Sequence, residues 1–303
     1  MYPYFLMIFV VIFYAGNILV GKALNDLPPF TIAFFRLLVA FMILMPIGLR
    51  TAWKKRLTFK EHKGPLFVLT LTGITFFNMF VYGALQFTTA TNVSVLETII
   101  PVVTVILSTG LIKEKLQRIQ WLGIFLSFFG AVWVILDGRF LKLASLTWNI
   151  GDGIMMGAVI SWAVYSVCVK QYMHLFPPYA VLLVMTGISV LLLMPVVVME
   201  WWWLGVPAWN TPDHIAGFLY LGIFPSFFAL VFYNRAVELL NPSQAAIFLN
   251  FLPVVTLYGA YLWLGEAITF MKVMGALVVI GGVLLTTQFK RKRSQVNDSP
   301  KKH

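Results

Sequence analysis

The sequence predicts an all-α integral membrane protein, with ten transmembrane helices arranged as two inverted five-helix repeats. Composition is the first of three observations behind this. Of 303 residues, 60% are apolar and 11% charged, against about 45–50% and about 25% in ordinary soluble domains. Mean hydropathy is +0.88. With 22 Lys+Arg and 11 Asp+Glu, a soluble fold of this size could not cover its own surface. The second observation is a succession of apolar runs, and the third is an internal repeat.

The runs lie at 4–21, 30–49, 66–87, 93–112, 121–136, 153–171, 179–199, 215–233, 244–264 and 273–289. About twenty helical residues cover the roughly 30 Å hydrocarbon core. Two-residue alternation is missing, which argues against a β-barrel. The first run starts almost at residue 1, without a basic segment ahead of it or a small-residue cleavage site. It reads as a retained span rather than a signal peptide. The net charge of +11 is clustered in short segments between runs, a pattern of membrane orientation rather than of nucleic-acid binding. With ten spans and an internal N-terminus, 17 basic residues fall on one side and four, Lys22, Arg139, Lys142 and Lys272, on the other. This bias puts both termini in the cytoplasm. The basic tail can also recruit anionic lipid, and Trp201–Trp203 suit an interfacial belt. The expected location is the plasma membrane of a prokaryotic cell.

The repeat is the most informative feature. PVVT occurs at 101–104 and again at 253–256. The same offset of 152 matches Glu114 with Glu266, Gly123 with Gly275, Gly130 with Gly282, and Ala84 with Ala236. Near the starts of the halves, FYAGNILVGK at 13–22 resembles SWAVYSVCVK at 161–170, and Pro28-Pro29 is matched by Pro177-Pro178. The expected division is 1–144, 145–290 and a basic tail, 291–303. Five spans per half is odd, so the copies enter the membrane from opposite sides. Inverted repeats of this kind build many secondary transporters.

These features resemble the drug/metabolite transporter superfamily, in particular its ten-span members built from two EamA-type repeats. The resemblance covers roughly residues 5–288. It is carried by Asn17 and Lys22, the Pro-Pro before the second span, Arg36 in FFRLLVA, and PVVT followed by a loop Glu and a Gly-punctuated helix in each half. It implies a secondary transporter, most often an exporter of amino acids, other small metabolites or drugs. The second half departs from the pattern, since LVMTGIS at 183–189 has no arginine matching Arg36. Export of a small organic metabolite is the expected function. Efflux of amphipathic drugs and a non-transporting scaffold are the alternatives.

Polar groups inside hydrocarbon are costly and mark candidate sites. Glu97 is the acidic residue well inside a run. It can carry a proton, bind a cationic part of a substrate, or pair with Lys22, Arg36 or a hydroxyl. Lys22 can also snorkel to the headgroups, and Lys170 mirrors it. Arg36 suits a carboxylate or phosphate, or Glu97. Asn17, Asn78, Tyr82, Asn92, Tyr165, Gln244 and Asn250 offer neutral hydrogen-bonding groups to a cavity or between helices. Asn92 and Gln244 occupy matched positions. Trp162 offers an aromatic face. Pro101 and Pro253 are hinge candidates, since proline interrupts a helix. The glycines at 123, 130, 275 and 282 are spaced for close helix packing.

Nothing in the sequence suggests an enzyme or a cofactor. A phosphate-binding GxxxxGK[ST] loop is missing. The four His residues are scattered, and Cys168 is a lone cysteine, so no metal set forms. Expected partners are a small-molecule substrate, protons and membrane lipids. Nucleic acid is excluded, and a homodimer is left open.

Overall fold

A computed structural model describes residues 2–24, 26–84, 86–87, 93, 96–139, 150–209, 211–264 and 268–297. The regular elements among them are helices. The first half holds α1 (Tyr2–Ala23), α2 (Pro29–Lys54), short α3 (Arg56–Glu61), α4 (Lys63–Thr70), α5 (Phe77–Ala84), α6 (Ile100–Leu111) and α7 (Arg118–Leu136). The second half holds α8 (Ile150–Tyr172), α9 (Pro178–Leu204), α10 (Pro212–Ile223), α11 (Ala229–Leu239), α12 (Pro242–Ala246), α13 (Leu252–Leu264) and α14 (Phe270–Asn297).

Among the described residues, seven helical segments are long and apolar enough to cross a membrane: Tyr2–Gly21, Pro29–Lys54, Lys63–Ala84, Arg118–Leu136, Ile150–Leu175, Pro178–Leu204 and Pro212–Leu239. Shorter apolar helices run over Ile100–Leu111 and Phe270–Thr286. Several helices outrun their apolar stretch. α2 continues to Lys54 through Pro46, and α9 to Leu204 through Pro195. Large apolar side chains such as Phe5, Phe125, Leu191 and Leu262 point outward, as a lipid-facing surface allows. Trp202 and Trp203 are exposed at the end of α9, while Trp201 Nε1 donates to Thr31 Oγ1 at 2.9 Å.

The helix contacts repeat between halves. α2 packs on α9, and α7 on α14. α1 meets α11 and α13, just as α8 meets α5 and α6. α2 meets α10, as α9 meets α4. Exchanging the halves carries each pairing onto its counterpart, the spatial form of the 152-residue register.

The α7–α14 pair is set by its glycines. A Cβ on Gly123 would lie 2.6 Å from Gly282 O, and one on Gly282 would lie 2.4 Å from Ser127 N. Gly130 and Gly275 meet in the same way. Backbone touches backbone at two levels of one seam, as small residues permit.

Two interruptions are also matched. A π-helical turn over Leu71–Phe76 joins α4 to α5, and another over Phe224–Phe228 joins α10 to α11. Gly73 and Pro225, one in each, are 152 residues apart. Pro225 removes a backbone N–H from its ladder. Gly73 lets the Tyr165 ring lie against the backbone, where a Cβ would come within 2.2 Å of it. Pi turns are uncommon and concentrate at functional sites.

Glu200, near the end of α9, closes the start of α2. Its carboxylate accepts from the backbone N–H of Phe30 (3.0 Å) and Thr31 (2.8 Å) and from Thr31 Oγ1 (2.7 Å). The flanking Pro28 offers no side-chain cap, so a residue 170 positions away satisfies donors the helix leaves open. Glu200→Ala is expected to cost about 2–3 kcal/mol, and Glu200→Gln less, read by thermal unfolding in detergent. Equal stability of all three proteins would remove this cap from the account.

Candidate functional site

A central cavity of about 60 Å³ lies between the halves. The first half contributes α1, α2, the first π turn, α5 and the segment ahead of α6. The second contributes α8, the second π turn, α11 and the chain around α13. Six candidates from the sequence line it: Asn17, Arg36, Asn78, Tyr82, Glu97 and Trp162. A volume this small holds a few waters. It is far below the roughly 300–1,000 Å³ of pockets that enclose small organic ligands.

Arg36 is 6% exposed. Its Nε donates to Ser226 Oγ at 2.8 Å, and its Nη1 to Tyr82 OH at 2.6 Å. α2 of one half is thereby tied to the π turn of the other. The guanidinium also sits 5.9 Å from the Tyr82 ring centroid, within cation–π range. Glu97 lies just ahead of α6, half-buried, where a turn over Thr98 and Ile99 precedes the regular helix. The ion pairs among the described residues are His214–Asp26 and Arg235–Glu238. Arg36 and Glu97 thus share a cavity without pairing, and a cation and a carboxylate face the same space.

One wall is aromatic. Trp162 sits at ring-centroid distances of 4.5 Å from Phe77, 5.1 Å from Tyr233, 5.4 Å from Tyr165 and 5.9 Å from Tyr14. Tyr165 stands behind the cavity lining. Its hydroxyl donates to Asn234 Oδ1 at 2.6 Å, and Ser166 Oγ and Tyr233 OH lie 2.6 Å apart. Asn78 Nδ2 donates to Ile74 O within the first π turn at 2.6 Å. Asn17 Oδ1 is buried without a partner among the described residues.

Other candidates lie elsewhere. Asn250 Nδ2 donates to Ser127 Oγ of α7 at 2.9 Å, holding helices together. Gln244 is buried in α12 away from the cavity lining. Lys170 Nζ donates to the Glu238 and Leu240 carbonyls at 2.7 and 2.5 Å, where a cation suits the end of α11. Asn92 and the Lys22 side chain lie outside the described residues. Pro101 and Pro253 sit in the first turns of α6 and α13. Ahead of them come the turn over Thr98 and Ile99 and a 3₁₀ stretch, Ile247–Phe251. Pro101 thus opens a helix after a turn, whereas Pro253 lies where the 3₁₀ stretch passes directly into α13.

The sequence reading missed Ser226, Gly73 and Pro225. A proline and a glycine in register inside two apolar runs were the available signal.

Similarity to known proteins agrees with this arrangement. The EamA-like transporter family matches residues 1–136 and again 149–288. An uncharacterized transporter of Archaeoglobus fulgidus is 30% identical over 279 residues, covering 90% of this chain and 93% of that one. The Bacillus subtilis uncharacterized transporter YyaM is 26% identical, covering 84% of this chain and 83% of its own. A solved crystal structure shares the fold, with a TM-score of 0.80 at 16% identity, covering 96% of this chain and 98% of the other. With its apolar helices and two matched regions, this chain is a multi-pass integral membrane protein and belongs to the EamA-like transporter family, whose members move small organic compounds across membranes rather than catalyse reactions.

Proposed function

We propose that this protein is a ten-span secondary transporter that exports a small organic metabolite, such as an amino acid or related compound, by alternating access. Its repeats comprise residues 1–144 and 145–290, inverted in the plasma membrane, with both termini and the tail 291–303 in the cytoplasm. The supporting observation is the central cavity, lined by both halves and holding a cation and a carboxylate that form no ion pair among the described residues. Two near-equal halves of opposite orientation can exchange conformations, which opens such a cavity to one face and then the other. The 17-to-4 distribution of basic residues supports the orientation.

Glu97 is the coupling group in this reading. It takes a proton from outside, and substrate loading from the cytoplasm competes with that proton. Asn17, Asn78, Tyr82 and Trp162 contact the solute. The aromatic wall around Trp162 favours a second reading, efflux of amphipathic drugs.

Metabolite profiles of cells lacking or overproducing the protein identify the solute. Proteoliposomes with an imposed pH gradient and clamped voltage then measure its flux. Wild-type protein is expected to move the solute in the direction opposite to protons running down their imposed gradient, and Glu97→Gln to lose that pH-driven component while keeping exchange. A drug-only flux selects the second reading. Unchanged pH-driven flux in folded Glu97→Gln removes Glu97 from coupling. Folded protein that moves none of the compounds altered in cells contradicts transport itself.

A further inference from the structure

Among the described residues, each π turn makes one side-chain hydrogen bond to the opposite half. In the first, Thr75 Oγ1 lies 2.8 Å from Ser189 Oγ on α9. In the second, Ser226 Oγ accepts from Arg36 Nε of α2 at 2.8 Å. Each turn hydroxyl also donates to the carbonyl five residues earlier, Thr75 to Thr70 and Ser226 to Leu221. The two staples are alike in joining a π turn to a long helix of the other half, but they lie one residue out of register at the turn, Thr75 aligning with Phe227, and they differ in chemistry. One joins two buried neutral hydroxyls, and the other ends on a buried guanidinium.

That guanidinium is under-compensated. It carries five N–H donors, and Ser226 and Tyr82 take one each. Among the described residues no carboxylate lies within ion-pair reach. A buried cation held by two neutral hydroxyls and a tyrosine ring, with no counter-charge among the described residues, is costly, and a carboxylate matches its planar fork in a bidentate way. The side-on fork consists of Nε and Nη2, and Ser226 occupies its Nε position. A carboxylate seated there displaces Ser226, while Tyr82 keeps Nη1.

Building on the transport reading above, we propose that the solute carries a carboxylate which Arg36 takes in exchange for the Ser226 hydroxyl. This exchange frees the second-half π turn, while the Thr75–Ser189 staple holds at that step. Ser226 is then a positioning residue that reports the loaded state to the other half. The small cavity has to expand to admit a metabolite, and a link between the halves that breaks on loading provides the trigger.

Hydrogen exchange by mass spectrometry on the full-length protein in lipid nanodiscs tests this, with acetate as the carboxylate probe and acetamide as its neutral counterpart. Acetate is expected to raise exchange in peptides covering 222–230 by about fivefold, the effect of one lost hydrogen bond on local opening. Acetamide should leave it unchanged, and peptides covering 70–78 should respond to neither. Ser226→Ala should show the raised exchange without acetate and no further rise with it. Arg36→Gln should abolish the response. Equal effects of acetate and acetamide, equal responses of both turns, or a silent 222–230 segment in folded wild-type protein would overturn the proposal. Solute flux in proteoliposomes separates the two readings. Flux with a silent turn removes the latch and keeps transport, whereas a responsive turn without flux keeps the anion site and removes transport.

Discussion

Gly282→Leu should prevent stable assembly of the bundle, whereas Gly281→Leu beside it should be tolerated. At Gly282 a Cβ meets Ser127 N at 2.4 Å and Gly123 O at 2.6 Å. Both are backbone atoms of α7, which no rotamer change can move aside. At Gly281 a Cβ meets nothing within 4 Å. Overpacking a tight core ordinarily costs about 1–3 kcal/mol. Here the clash separates two helices that touch along their whole seam, so the expected cost is about 3 kcal/mol or more. Folded yield and thermal unfolding in detergent check this, with the two variants side by side. Gly123→Leu should behave as Gly282→Leu does, since the two glycines face each other. Equal stability of the 281 and 282 variants would show that the α7–α14 seam does not depend on close backbone approach.

The seam was legible in the sequence because it is periodic. Glycines seven apart, repeated at an offset of 152, leave one helix face bare in each half. The helical, membrane-embedded character was legible because hydrocarbon imposes it on composition and run length. Arg36, Glu97, Asn17, Asn78, Tyr82 and Trp162 stood out as polar or aromatic groups in apolar runs, and the structure brings them to one cavity.

What stayed hidden depends on pairing across the chain. Ser226 is an ordinary serine in an apolar run until Arg36, 190 residues earlier, donates to it. Glu200 looks like a helix-end acid until it caps α2. The π turns were hidden for another reason. One extra residue in a turn leaves hydrophobic periodicity nearly intact within a run that is apolar on every side. The same pairing kept Arg36 and Glu97 from being separated on paper. Their charges invite a salt bridge, and only the geometry sets them apart.

Under the proposed alternating access, the two halves move against each other around this cavity during each transport cycle. A reversible lock at the Thr75–Ser189 staple probes this motion. The two hydroxyl oxygens are 2.8 Å apart, so a cysteine pair there is within reach of a disulfide. Thr75→Cys with Ser189→Cys, in a Cys168→Ser background, is reconstituted into proteoliposomes, oxidised, and assayed for flux of the identified solute before and after reduction. Cross-linking is verified by mass spectrometry. The oxidised protein is expected to lose flux, reductant to restore it, and each single-cysteine variant to be indifferent to oxidation. Full flux through protein shown to be cross-linked would contradict the proposed motion.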